Sequence, residues 1–216
     1  MKITGVIFDL DGTLLDSTPV WETLASRYLK SVGIVPENNL DEELKAFSML
    51  QAIDYLKVNF GIEGSIETIL HKINRMIEVD FQDHVFLKQG VVAMLERMKN
   101  LNIRMCIATA NDKKIAEMVL KKHRIADYFC DVVTCTAVGS GKSDVLIYQH
   151  ALEMLGTSKD ETLVFEDSLF AMQTLKQNGF HIAAVYDSSA SLQIDEIKMI
   201  ADFYLESFED WEKVLI

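Results

Sequence analysis

The spacing of apolar positions changes character twice along the chain. Ile3, Val6, Ile7 and Phe8 form a short β-branched run with too little polar alternation for a one-faced strand, which predicts a strand buried on both sides. From Pro19 the period becomes helical. Leu24, Ala25, Tyr28 and Leu29 make a stripe that Gly33 and Pro36 interrupt. Leu44, Phe47, Leu50, Ile53 and Leu56 continue at helical spacing until Gly61 and Gly64, and Ile66, Ile69, Leu70, Ile73 and Ile77 make a third stripe. No strand is expected between about Ser17 and His84. Beyond that point strand and helix alternate. A helix from about Gly90 to Asn100 turns Val91, Leu95 and Met98 inward and leads to a strand at Ile103 to Thr109. Asn111 or Asp112 can cap the next helix, whose buried side carries Ile115, Val119 and Leu120. A strand near Asp131 to Cys135, a helix over Asp144 to Leu155 and a strand at Thr162 to Phe165 follow. Ser168 to Asn178 reads as a helix ended by Gly179, and His181 to Val185 as a further strand.

This βαβ rhythm predicts an α/β protein whose core is a doubly wound, mostly parallel, Rossmann-like sheet. A smaller all-helical domain is inserted just after the first strand. The expected division is 1–16 and 85–216 for the core and 17–84 for the helical insertion, joined through short connections near Leu15 to Pro19 and His84 to Gln89. Two such hinges would let the insertion open and close over a crevice at the carboxyl ends of the strands, where ligands of doubly wound sheets bind.

Composition narrows the function classes. A chain of 216 residues, 49% hydrophobic and 25% charged, has the balance of a globular protein with one sizeable core. A net charge of -12 without a basic cluster argues against nucleic acid as a partner, since that requires a positive surface to displace counterions. The N-terminus passes from one Lys straight into a strand, and no apolar run reaches spanning length, so neither a secretory signal nor a membrane partner is expected and the protein is placed in the cytoplasm. Cys106, Cys130 and Cys135 and the five histidines are scattered, with no CxxC or HxxxH spacing for a disulfide framework or a zinc site.

The candidate chemistry starts where the first strand ends. Asp9 and Asp11 stand two apart, with Gly12 and Thr13 following at the turn. In strand-like geometry both carboxylates would face one small space, which is costly unless a cation lies between them or one holds a proton. Such a pair can divide the work of a substitution. One carboxylate attacks an electrophile, and the other passes a proton to the leaving group and later activates water. Three other strand ends supply matching groups. Thr109 ends its strand at a helix start, where its hydroxyl and the amides of Ala110 and Asn111 could bind phosphate oxygens. Lys142 follows a glycine-rich loop after the Asp131 strand. The strand TLVF runs into Glu166, Asp167 and Ser168, and consecutive acids at the end of an apolar strand call for a cation.

The run DxDGTL after an N-terminal apolar strand, followed in order by Thr109, Lys142 and Glu166–Asp167, resembles the haloacid dehalogenase superfamily. Within it, the branch with a helical cap inserted after the first strand, the β-phosphoglucomutase-like phosphatases, is the most similar. The resemblance implies that Asp9 is the nucleophile and a metal ligand. Asp11 would be the acid/base, offering its backbone carbonyl to the metal, and Thr109 and Lys142 would bind phosphate. Asp167, with Glu166, would complete a Mg²⁺ site. Asp11 favours phosphate-ester chemistry over the dehalogenase and phosphonatase branches, which lack an acid there. Two departures bear on substrate. Trp21 stands where sugar-phosphate mutases of this type carry a cap His. Met49 stands where they carry a cap Arg for the distal phosphate, in the segment Leu44-Lys45-Ala46-Phe47-Ser48. Ser143 replaces the Pro that usually follows the Lys. Residues 17–84 hold six basic and eleven acidic side chains, a balance of -5. The expectation is therefore a monomeric Mg²⁺-dependent phosphatase acting on a small phosphorylated metabolite. A sugar-phosphate mutase and a non-catalytic phospho-ligand sensor are the alternatives. Trp21, Phe47 and Met49 could face the substrate or belong to helix core.

A P-loop nucleotidase is the competing motif reading, from Gly139-Ser-Gly-Lys-Ser143 between a predicted strand and helix. Its fingerprint needs Gly where this chain has Thr136, and it leaves DxDGTL unexplained.

Overall fold

In a computed structural model, which describes residues 2–36, 39–44, 47 and 49–214, the first apolar run forms β1 (Gly5–Phe8), with every residue buried. The chain then forms β2 (Leu15–Asp16) and enters five helices, α1 (Thr18–Trp21), α2 (Leu24–Ser31), α3 (Leu40–Leu44), α4 (Met49–Phe60) and α5 (Ile66–Asp83). After β3 (Phe86–Leu87) come α6 (Val91–Asn100), β4 (Arg104–Thr109), α7 (Lys113–Lys122), β5 (Val132–Thr134), α8 (Cys135–Val138) and α9 (Leu146–Leu155). The remaining elements are β6 (Thr162–Glu166), α10 (Leu169–Gln177), β7 (His181–Val185), α11 (Ile194–Ile200) and β8 (Phe203–Leu205). Two compact units result, Met1–Asp16 with Phe86–Ile216, and Ser17–Val85.

In the larger unit six parallel strands run in the order β5-β4-β1-β6-β7-β8. The chain steps from β1 through β4 to β5 on one side, then returns to lay β6 on the other side of β1. The winding therefore reverses at the carboxyl end of β1, the position where such sheets open a crevice. One face of the sheet is sealed by α9, α10 and α11, with Ile7, Cys106, Val164 and Ile182 packed on Tyr148, Met172 and Ile197. Such two-sided burial is why these strands read as continuous apolar runs.

Among its described residues the smaller unit holds helices joined by turns and loops, and no strand. Its interior is built from Leu29 of α2, Ile53 and Leu56 of α4, and Ile69, Ile73, Ile77 and Phe81 of α5. The Ser65 side chain accepts from the amide of Thr68 at 3.2 Å and starts α5. The second predicted stripe is not one helix. Phe47 N–H bonds the Leu44 carbonyl at 2.9 Å, closing a turn after α3, and α4 begins at Met49. Phe47 packs its ring edge-on to Tyr55, Leu50 is 57% exposed, and Lys45, Ala46 and Ser48 lie outside the described residues.

Several elements differ from the pattern-based expectation. The strand expected to reach Cys135 stops at Thr134, because the Thr134 hydroxyl accepts from the Ala137 amide at 3.2 Å and caps α8. β2 and β3 pair antiparallel, Leu15 with Leu87 and Asp16 with Phe86, at the two points where the helical unit leaves and rejoins the sheet unit. Each is two residues long, too short for any periodicity. The edge strand β8 has three residues and was equally silent. Among the described residues, no helix is long and apolar enough to cross a membrane.

Candidate active site

At the carboxyl end of the central strand, Phe8 is in register with Ile107 of β4 and Phe165 of β6. Asp9 is the next residue, and its amide still bonds the Phe165 carbonyl at 3.0 Å, so the Asp9 backbone is held by the sheet. The chain then turns sharply. The amides of Leu14 and Leu15 both reach the Leu10 carbonyl, at 3.0 and 2.9 Å, and Gly12 takes φ +77. A Cβ on Gly12 would lie 2.5 Å from Asp167 Oδ2, so the turn passes directly against the acid at the end of β6. Thr13 donates its hydroxyl to Asp167 Oδ1 at 2.8 Å, within the buried interior.

Lys142 arrives from the other side. After α8 the chain reverses through Gly139, which is left-handed with φ 74, and the loop carries Lys142 inward until it is 7% exposed. Its ammonium donates to Asp9 Oδ1 and to Glu166 Oε1. Glu166 ends β6 and is fully buried. Its Oε2 accepts from the amides of Asp167 and Ser168 at 2.8 and 3.0 Å and from the Ser168 hydroxyl at 3.1 Å, and Tyr148 of α9 donates to Oε1 at 3.4 Å. The GSGKS stretch is thus the connection between α8 and α9 and not a loop running from a strand into a helix, and its lysine faces carboxylates.

Carboxylate oxygens of Asp9, Glu166 and Asp167 all lie within 4.8 Å of one another. Burial pushes the Asp9 carboxyl up to about 7, with Lys142 pulling it down and Glu166 and Asp11 pushing it up. Burial, then Glu166 and Asp9, hold Asp167 well above the ordinary carboxylate range. Burial alone would depress Lys142, and the two carboxylates on it overturn that and hold it well above the ordinary lysine value. The cluster is short of positive charge even with its lysine in place. Its donors are all hard carboxylate oxygens with no Cys or His among them, a set that fits a Mg²⁺-type cation better than zinc.

Next to it, β4 delivers a second linked group. Asn111 donates from Nδ2 to Asp11 Oδ2 at 2.9 Å, and its amide donates to Thr109 Oγ1 at 3.0 Å. The Asn111 N–H, expected to face phosphate oxygens, is bonded to the Thr109 hydroxyl in this structure. Asp112 and not Asn111 caps α7, accepting from the Lys114 amide at 2.8 Å. Thr109 is buried and keeps a hydroxyl hydrogen to donate, and Ala110 is exposed beside it. Sequence reasoning assigned no role to Thr13, Tyr148 or Ser168. Thr13 lies inside DxDGTL and was within reach, whereas Tyr148 sits on the apolar stripe of α9 and carries no local signal. In the helical unit Trp21 packs its ring edge-on against Phe81 at 5.9 Å.

The profile of the haloacid dehalogenase-like hydrolases matches residues 6–185, which takes in every group just described. This chain belongs to that hydrolase family. Among its curated relatives, hexitol phosphatase A of Escherichia coli is 28% identical over 93% of this chain and 91% of its own length. The beta-phosphoglucomutase of Bacillus subtilis is 27% identical over 98% and 97%. A crystal structure of a candidate beta-phosphoglucomutase from Thermotoga maritima superposes with a TM-score of 0.81 at 26% identity, covering 100% of this chain and 98% of that one.

Proposed function

We propose that this hydrolase is a Mg²⁺-dependent phosphatase that cleaves a small phosphorylated sugar or sugar alcohol through an aspartyl-phosphate on Asp9. The observation that carries this reading is the Lys142 ammonium seated on Asp9 Oδ1 beside Asp167, at the carboxyl end of the central strand. Asp9, Asp167 and Glu166, with the backbone carbonyl of Asp11, would hold the cation. When bound, Mg²⁺ supplies positive charge that keeps the carboxylates ionised and withdraws electrons from the phosphoryl group.

The chain's own residues would then act as follows. Lys142 holds Asp9 ionised and in place as a nucleophile. Asp9 forms a bond to phosphorus as the ester P–O bond breaks, and Asp11 delivers a proton to the departing sugar oxygen. Asp11 next takes a proton from water as that water displaces the phosphoryl group from Asp9. The Thr109 hydroxyl and the Ala110 amide would bind phosphoryl oxygens through both steps. The names of the relatives support a sugar or sugar-alcohol phosphate. Met49 in place of a cap arginine, and the -5 balance of residues 17–84, support a monophosphate hydrolase over a mutase that handles bisphosphates.

The test is release of inorganic phosphate from p-nitrophenyl phosphate and a panel of sugar and sugar-alcohol phosphates, with and without Mg²⁺, for the wild type and Asp9→Asn. Metal-dependent release that falls by about a thousandfold or more in the variant is expected. Release that survives Asp9→Asn overturns the mechanism. Isomerisation of a sugar phosphate, seen only with a bisphosphate activator, would establish the mutase reading instead.

A further inference from the structure

Asn111 is 6% exposed, and its backbone N–H and both side-chain polar atoms are engaged. Its amide N–H donates to Thr109 Oγ1 at 3.0 Å, its Oδ1 accepts from the Asp112 amide at 2.8 Å, and its Nδ2 donates to Asp11 Oδ2 at 2.9 Å. These bonds settle the orientation of the side chain. A backbone N–H can only donate, so the atom facing Asp112 is the amide oxygen, and the NH₂ group is thereby turned onto Asp11. The support beneath it is rigid. Thr109 is the last residue of β4 and pairs with Thr134 of β5, and Asp112 caps α7. Asn111 is therefore fixed from both sides and presents one N–H to a carboxyl that stands on a half-buried turn.

We infer that Asn111 is a positioning residue for Asp11, holding the plane of its carboxyl so that the acid is aimed at the leaving group. Asn111 touches no reacting atom in this arrangement. Its effect is on how much of the time the acid is aimed, and the gain from general acid catalysis depends on that aim. The inference rests on the phosphatase reading and goes beyond it. It predicts that the benefit of Asn111 scales with how badly the leaving group needs a proton.

The experiment compares two substrates on the wild type and on Asn111→Ala. One is a sugar-alcohol phosphate, whose alkoxide leaving group must be protonated. The other is p-nitrophenyl phosphate, whose phenolate leaves without a proton. The expected result is a kcat/KM about tenfold lower for the sugar-alcohol phosphate, with kcat/KM for p-nitrophenyl phosphate changed by no more than about twofold. The ratio kcat/KM covers the steps through ester cleavage and leaves out the later attack of water, in which Asp11 serves both substrates alike. Asn111→Asp, which faces Asp11 with a carboxylate, should be worse than alanine on the same substrate. If alanine does not fold, as judged by thermal unfolding, Asn111→Ser replaces it, leaving a hydroxyl in the loop that is too short to reach Asp11. An equal loss on both substrates identifies a merely structural role and overturns the inference, as does no loss on either. Either of those outcomes leaves the phosphatase reading standing, because the wild type still releases phosphate and Asp9→Asn still does not. A wild type that releases none, or an active Asp9→Asn, sinks both.

Discussion

At the carboxyl ends of β1 and β6 the sheet unit buries Asp9, Glu166 and Asp167 around the single ammonium of Lys142, whereas the deepest positions of the helical unit include the apolar Leu29, Ile53 and Phe81. In the helical unit the buried Asp80 faces Arg27 at 2.6 Å, one acid to one base, with the Arg27 side chain 32% exposed. The sheet unit instead holds three carboxylates in a dry place with one counter-charge. A packed interior gains nothing from such an arrangement, because desolvating ions costs more than apolar side chains of the same volume would. A fold that tolerates it at one edge, while its other interior follows ordinary packing rules, has marked that edge for chemistry.

The largest test of this contrast is Lys142→Met. With the ammonium gone, Asp9 and Glu166 are left buried without a counter-charge, so stability should drop by about 3–5 kcal/mol in urea unfolding. Phosphate release should fall by at least about a hundredfold in the same variant, since charge on the phosphoryl group loses its fixed partner. A variant as stable and as active as the wild type would erase the distinction between the two regions. Ile73→Ala probes the other side. Ile73 is 2% exposed, and its truncation should cost about 2–5 kcal/mol by the same unfolding measurement. The folded fraction should keep its kcat on p-nitrophenyl phosphate, and a lost kcat there would mean that helical packing and chemistry are not separable in this way. The smallest effect is expected for Thr13→Val, which keeps the shape and removes the 2.8 Å bond to Asp167. A loss of about 1–2 kcal/mol in stability should accompany a severalfold rise in the Mg²⁺ concentration needed for half-maximal activity. An unchanged metal requirement would show that Thr13 serves only the turn.

Much of this was legible in the chain because parallel strands buried on both faces announce themselves as apolar runs, and the residues that end them sit at one edge of the sheet. Asp9, Thr109, Glu166 and Asp167 were therefore singled out by their place at strand ends, and Lys142 by its loop. Strands of two residues were not legible, which is why β2 and β3 went unseen, and the three-residue edge strand β8 was missed as well. Helical spacing misled at Leu44, Phe47 and Leu50, where a turn at Phe47 breaks what reads as one stripe. A periodic pattern reports which positions can share a face and not whether the backbone stays helical between them. Asn111 was singled out for its amide, and the reach of its side chain to Asp11 was not legible.

What the amino-acid sequence determined by itself was local and directional: roughly where β1, β4, β5, β6 and β7 lie, that they run parallel, and which reactive residue types stand at their carboxyl ends. These follow from propensity and periodicity over a few neighbouring residues. Which atom meets which was decided only by the folded chain. Thr13 and Asp167 are separated by 154 positions, Asp9 and Lys142 by 133, and Asp11 and Asn111 by 100. A hydrogen bond or an ion pair depends on fractions of an ångström between such partners, and that distance exists only after the sheet has brought distant strand ends side by side.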